Sequence, residues 1–160
     1  RKVGTFMAQD ISNCAWAFAK LGLAEDDMFD AIATEVAQKV GMFLPQNLSI
    51  ISWAYAKLGL LNDAMMEAIA GEILAKVGEF DGQGAGNIIW SFGVLGLREY
   101  YDVAKAVTSR AEVILDTLTS QEMANIAWGL AAMCHHDLLD RFLRKSSNHF
   151  LCIVGRQDGV

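Results

Sequence analysis

The sequence predicts an all-α protein, a right-handed α-solenoid of about four helix-turn-helix repeats of 37–38 residues. Three columns of residues carry that expectation. All four tryptophans, Trp16, Trp53, Trp90 and Trp128, recur at steps of 37, 37 and 38 residues. Phe6, Phe43, Phe80 and Leu118 keep the same step ten positions earlier, and Gln9, Gln46, Gln83 and Gln121 keep it seven positions earlier. Self-similarity at a fixed period of this length marks stacked helical pairs, each covering its neighbour. Composition agrees, because 53% hydrophobic residues with a single proline in 160 exclude disorder and suit packed helices.

Taken in order, residues 1–5 match the segments before Phe43 and Phe80, where a helix closes, and are read as the end of a preceding repeat. Repeat 1 then spans 6–42, repeat 2 43–79, repeat 3 80–117 and repeat 4 118–154, with a tail at 155–160. In repeat 1, a first helix (helix A) is expected from about Ala8 to Leu21, stopped by Gly22 in a left-handed cap; Gly59 and Gly96 repeat the stop. Pro45 suits the first turn of the second helix A, and Thr119 with Glu122 forms a capping-box pattern before the fourth. The acidic link from Ala24 to Asp27 suits the N-terminus of a second helix (helix B) through its dipole.

Helix B shows an apolar residue every fourth position: Met28, Ile32, Val36, Val40, then Met65, Ile69, Ile73, Val77. The third unit carries one extra residue in its second half and continues the stripe through Val107, Ala111 and Leu115. The fourth departs most: Cys134, His135 and His136 replace the Gly-Leu stop, the link is about two residues shorter, and helix B runs over roughly Leu138–Phe150. That unit is read as a terminal cap or as a pair with a degenerate second half. The longest uncharged stretch, 82–97, falls short of the ~20 apolar residues of a membrane span, so it is expected as a buried helix and no transmembrane segment is expected.

Helix A is apolar nearly all round, as a helix covered by units on both sides must be. One narrow stripe escapes, through the positions of Asp10, Asn13, Ala17 and Lys20, and it is expected to line the inner face where a ligand is read. The candidate binding residues are Asp10, Asn13, Lys20, Asn47, Lys57, Asn87, Ser91, Glu122 and Asn125. Asparagines in that stripe suit a base edge, or else the backbone or a neighbouring unit's asparagine, and Ile50 breaks their column. The tryptophan column is expected in the inter-helix core, because Trp16 lies beside Ser12 and Ala19 on the packed side. The glutamine column, next to the helix start, is expected to hold free backbone groups.

A net charge of −6 argues against gripping phosphates by bulk charge, and Lys20 and Lys57 are the only cations of the stripe. Arg141, Arg144 and Lys145 form a secondary basic patch, read first as a solvated helix face. Cys134, His135, His136, His149 and Cys152 match no familiar zinc spacing, so neither metal nor cofactor is expected. Three cysteines without a CxxC suit reduced thiols in an intracellular or organellar matrix. With no nucleophile–base–orienter set, phosphate loop or HExxH, neither an enzyme nor a small-molecule substrate is expected.

The pattern F-x-x-Q-x-(L/I/A)-(S/A/G)-N-x-x-W-(A/S/G)-(F/L)-(A/G)-x-L-G-L, over about residues 6–154, resembles the octotricopeptide-like repeats. Those are helical-pair repeats found mainly in algal and other protist organelle proteins, sometimes beside a RAP domain. The resemblance implies a module that binds single-stranded organellar RNA, in chloroplast or mitochondrion, and acts in its processing, stability or translation. The proline-and-tryptophan motif that many members carry at the start of helix B is replaced here by residues Glu25 to Phe29, and no RAP domain is present. A second reading stays open: a protein-interaction scaffold or small subunit wedged into a larger organellar assembly, such as a ribosome or photosynthetic complex. Acidity, high hydrophobicity and a start in mid-repeat favour it, since an uncapped solenoid end must meet a partner.

Overall fold

The computed structural model describes residues 7–157, with side chains to residue 150. The segment 1–5 read as the close of a preceding repeat, Phe6 of the aromatic column, the Cys152 side chain and residues 158–160 lie outside the described residues. Among those described, every regular element is helical. The A helices are α1 (Ala8–Leu21), α3 (Pro45–Leu58), α5 (Gly82–Leu95) and α7 (Ser120–Ala132). The B helices are α2 (Asp26–Lys39), α4 (Asp63–Lys76), α6 (Tyr101–Val113) and α8 (His136–Gln157). Like helices stack side by side, A on A and B on B, so the chain is an all-α solenoid.

Each turn has a local cause. Gly22, Gly59 and Gly96 close α1, α3 and α5 with φ of 70°, 68° and 72°, a left-handed region open to glycine at no steric cost. Cys134 takes the same role after α7 with φ 62°, so the stop geometry persists where its glycine is lost. From B back to A, a three-residue 3-10 turn makes an elbow at Val40–Met42, Val77–Glu79 and Leu115–Thr117. Each elbow is closed by an i→i+3 bond onto the Phe/Leu column, Phe43 N to Val40 O at 2.9 Å and Leu118 N to Leu115 O at 3.2 Å. The extra residue of the third unit lies in the A–B link, 96–100, and not in an elbow. α8 runs without such an elbow to Gln157, past the expected end of helix B near Phe150.

The core sits between the layers. Ile32 and Val36, then Met65, Ile69 and Ile73, then Val107 and Ala111 are buried as the four-residue period requires. Phe43 and Phe80 are wholly buried, each worth about 1.5–3 kcal/mol against exposure. Their carbonyls accept from the next B helix: Lys76 Nζ donates to Phe43 O at 2.7 Å, and Arg110 Nε to Phe80 O at 2.9 Å. α5 is buried over most of its surface, as the uncharged 82–97 stretch predicts. No described helix is long and apolar enough to cross a membrane.

α5 and α7 approach one another closely because residues that face each other there are small. A Cβ on Gly93 would stand 2.9 Å from Gly129 Cα, and one on Gly129 would stand 2.3 Å from Ile89 O. The column that faces the preceding unit, Ala54, Ser91 and Gly129, is buried in each case. This tight seam decides which residues remain outside.

Candidate functional site

Where α5 and α7 meet backbone to backbone at Gly93 and Gly129 there is no room for an indole, and the tryptophans stand toward the open face of the A layer. The open row runs i, i+4, i+7, i+11, within about 60° on a helical wheel. It comprises Gln9, Asn13, Trp16, Lys20; Gln46, Ile50, Trp53, Lys57; Gln83, Asn87, Trp90, Val94; and Gln121, Asn125, Trp128, Ala132. Trp16 is 47% and Trp128 51% exposed, and Trp53 and Trp90 are half-buried. Trp16 and Trp128 are therefore surface residues, not the inter-helix core expected of them, whereas Trp53 packs partly buried against the core and Trp90 is half-buried. The four glutamines are exposed in the same row.

The predicted stripe is rotated from this row and splits between two duties. Asp10, Asn47 and Glu122 cap their own helices: Met7 N donates to Asp10 Oδ2 at 3.0 Å, Leu44 N to Asn47 Oδ1 at 3.1 Å, and Thr119 N to Glu122 Oε2 at 2.7 Å. Satisfying free backbone donors at a helix start is what these residue types do best there. Asn47 is also buried and donates across the seam to Ser12 Oγ at 3.0 Å. Ser91 is buried and donates to Asn87 O, so it too is seam. Asn13, Asn87, Asn125, Lys20 and Lys57 do lie on the open row, beside the glutamines and tryptophans.

The row is a continuous polar-aromatic surface. Between the first three units it sinks into a groove of about 430 Å³ lined by Asn13, Trp16, Ile50, Trp53, Gln83 and Asn87. Trp90 and Trp128 instead lean on each other, with ring centroids 6.3 Å apart and planes 35° off parallel. Gln9 Nε2 donates to Asn13 Oδ1 at 3.1 Å and Gln121 Nε2 to Asn125 Oδ1 at 2.9 Å, so each pair presents two fixed amides. Lys20 Nζ stands 5.6 Å from the Trp16 ring, a cation–π contact at the edge of the groove. No cation lines the groove itself.

The secondary basic patch is largely spent on packing. Arg141 and Lys145 both pair with Glu112, at 2.7 and 2.6 Å, and that carboxylate is only 5% exposed. Arg144 pairs with Asp140 one turn away. The three cations thus fasten α8 to α6 and to itself, which is more than a solvated face. The histidines and cysteines do not converge either, and no group of three potential metal ligands gathers among the described residues. His149 contacts Asp116, while His135 stands edge-on to Tyr101 with burial lowering its pKa. Tyr101 donates to Asp137 at 2.5 Å, a bond that holds the Asp137 carboxyl below its usual range.

Comparison with known families bears on the chain as a whole. Residues 1–141 match the family described as RESC6, RNA-editing substrate-binding complex 6 protein. The chain belongs to that family. The match covers α1 to α7 and the start of α8, including every residue of the open row. It corrects the finer resemblance, since RESC6 is a different family from the octotricopeptide-like repeats; the coarser content, a helical protein tied to RNA, stands. No curated protein matches the chain. The family's description names an RNA-editing substrate-binding complex.

Proposed function

We propose that this chain is a non-catalytic component of a mitochondrial RNA-editing complex and contacts single-stranded RNA along the open row of its A helices. The observation that carries the reading is the exposure of Trp16 and Trp128, with Trp53 and Trp90 half-open, beside glutamines and asparagines in the same row. Base stacking on aromatic side chains contributes about 1–3 kcal/mol per base and tolerates any sequence. Asn and Gln amides on the same face meet the base edges that unstacked RNA exposes. With a net charge of −6, phosphate neutralisation is a minor contribution, and Lys20 and Lys57 are the cations placed to supply it.

The test is a fluorescence-anisotropy titration with mixed-sequence single-stranded RNA at low and moderate salt, with tryptophan emission followed in parallel. Binding with a shallow salt slope and quenched emission supports the reading. Absence of binding at low salt refutes it. Lys20→Glu with Lys57→Glu should weaken binding and reduce the slope further.

A second reading, a protein-interaction subunit of the same complex, is favoured by one observation. Met7, Met42 and Leu44 are 76%, 74% and 61% exposed around a mainly apolar groove of about 560 Å³ at the first elbow. Exposed apolar surface of this kind marks contact with another protein. Pull-down from organelle extract with the chain and with a Met42→Asp, Leu44→Asp variant checks it. Equal recovery of complex subunits by both would exclude that groove.

A further inference from the structure

The open row is not uniform, and its differences point to one place where a base can enter. Trp90 and Trp128 are 6.3 Å apart and tilted, whereas a flat ring held between two indoles needs about 7 Å, two contacts of about 3.5 Å each. That pair is closed to insertion and offers only its outer face. Trp16 and Trp53 make no such ring contact, and the groove between and beyond them is open. Its walls differ in chemistry: two indoles and the apolar Ile50 on one hand, the amides of Asn13, Gln83 and Asn87 on the other. Among the described residues no side chain bonds the amide of Gln83 or Asn87, and Asn13 keeps its Nδ2 free while Oδ1 accepts from Gln9. Unpaired donors and acceptors on both flanks of an aromatic-walled groove, Asn13 from the first unit and Gln83 and Asn87 from the third, match a planar heterocycle with a hydrogen-bonding rim. They do not match a phosphate, for which the groove holds no cation.

Resting on the RNA reading above, we infer that the groove lined by Trp16, Ile50, Trp53, Asn13, Gln83 and Asn87 is an insertion slot for a single unstacked nucleobase. The base stacks on indole, its two edges meet Asn13 on one flank and Gln83 or Asn87 on the other, and its phosphates stay outside near Lys20. Ile50 sets the specificity of the slot: it stands where three other units carry asparagine, so the base meets an apolar side chain there and an amide on each flank.

The experiment compares a short mixed-sequence single-stranded RNA with the same RNA carrying abasic nucleotides, which keep every phosphate and lose the bases. Both are titrated against the full chain, Trp16→Ala and Trp53→Phe. The expected result is about 5- to 150-fold weaker binding of the abasic RNA, the range of one stacked base. Trp16→Ala should weaken the base-bearing RNA by a similar factor and leave the abasic RNA unchanged, while Trp53→Phe should retain most of the affinity. Trp16 is a surface residue, so this variant keeps its fold, and circular dichroism checks it. Equal binding of the two RNAs, or equal weakening of both by Trp16→Ala, overturns the slot and leaves RNA binding standing. No binding of either RNA by the wild-type chain overturns both.

Discussion

Adding one methyl group at Gly129 tests whether the A–A seam is what pushes the tryptophans to the surface. A Cβ there would meet Ile89 O at 2.3 Å and Ile89 C at 2.6 Å. Ordinary contact begins near 3.5 Å, so α5 and α7 must part by about 1 Å, and the atoms in the way are backbone and cannot rotate aside. Alanine in place of helical glycine ordinarily gains about 1 kcal/mol. Overpacking a seam that cannot yield costs about 1–3 kcal/mol net, so Gly129→Ala should be less stable despite its better helix propensity. For a chain of this size that is a fall in Tm of about 2–12 °C. Gly71→Ala is the matched control: it lies inside α4, nothing stands within 4 Å of its added Cβ, and it should gain about 0.4–1 kcal/mol. Thermal and urea unfolding followed by circular dichroism read both. A Gly129→Ala protein as stable as wild type, with Gly71→Ala behaving as expected, would refute the close seam and with it the explanation of the exposed row.

Four further outcomes follow from the junction of the third and fourth units. Glu112→Ala removes the shared partner of Arg141 and Lys145 and should cost about 1–3 kcal/mol in urea unfolding, whereas Lys145→Ala, 54% exposed, should cost under about 1 kcal/mol. Cys134→Gly relieves a left-handed φ of 62° and should be neutral or gain up to about 1 kcal/mol; a clear loss of Tm would show that the thiol packs usefully. Burial pushes the His135 pKa below its ordinary 6.5, so the unfolded chain binds the extra proton first and stability should fall as pH drops below about 6.5. Asp137, held low by Tyr101, adds stability above its ordinary 3.8 that is lost as pH falls through its lowered value. Tm measured against pH for wild type and His135→Gln checks the sign; an unchanged slope between about pH 6.5 and 5 in the variant would remove His135 from the account.

The helices, their order and most of their ends were legible because the cues are local. Gly22, Gly59, Gly96 and Pro45 each act on their own turn, and the four-residue period of Ile32 and Val36 reports one buried face directly. What the sequence misplaced is the open face of helix A, by the width of one helical position. Trp16 looked like core because aromatic residues at strict register usually pack, and helix A is apolar on nearly every side. The deciding signal was present in Ala17, Ala54, Ser91 and Gly129, a column small at every repeat. Small residues in register mean close helices, and close helices exclude indoles. The candidate residues divided for a similar reason. Asp10, Asn47 and Glu122 stand at the third helical position, where a side chain can reach back to the cap, and that local bond claims them before any ligand does. Asn13, Asn87 and Asn125 stand one turn further in, beyond reach of the helix start, and stay on the surface.

The elbows carry one more consequence, for where this architecture tolerates changes of length. Each B-to-A elbow is three residues closed by its own hydrogen bond and pinned to a buried Phe or half-buried Leu, so adding or deleting a residue there would rotate everything downstream. The A-to-B links, residues 22–25, 59–62, 96–100 and 133–135, already differ in length while the A helices keep their register. Length variation is therefore absorbed on one edge of the molecule and forbidden on the other. Peptide tags or loop grafts placed between Arg98 and Tyr100 should leave the stacking phase of all four tryptophans intact, and the same insertion at Gly78 should scramble it.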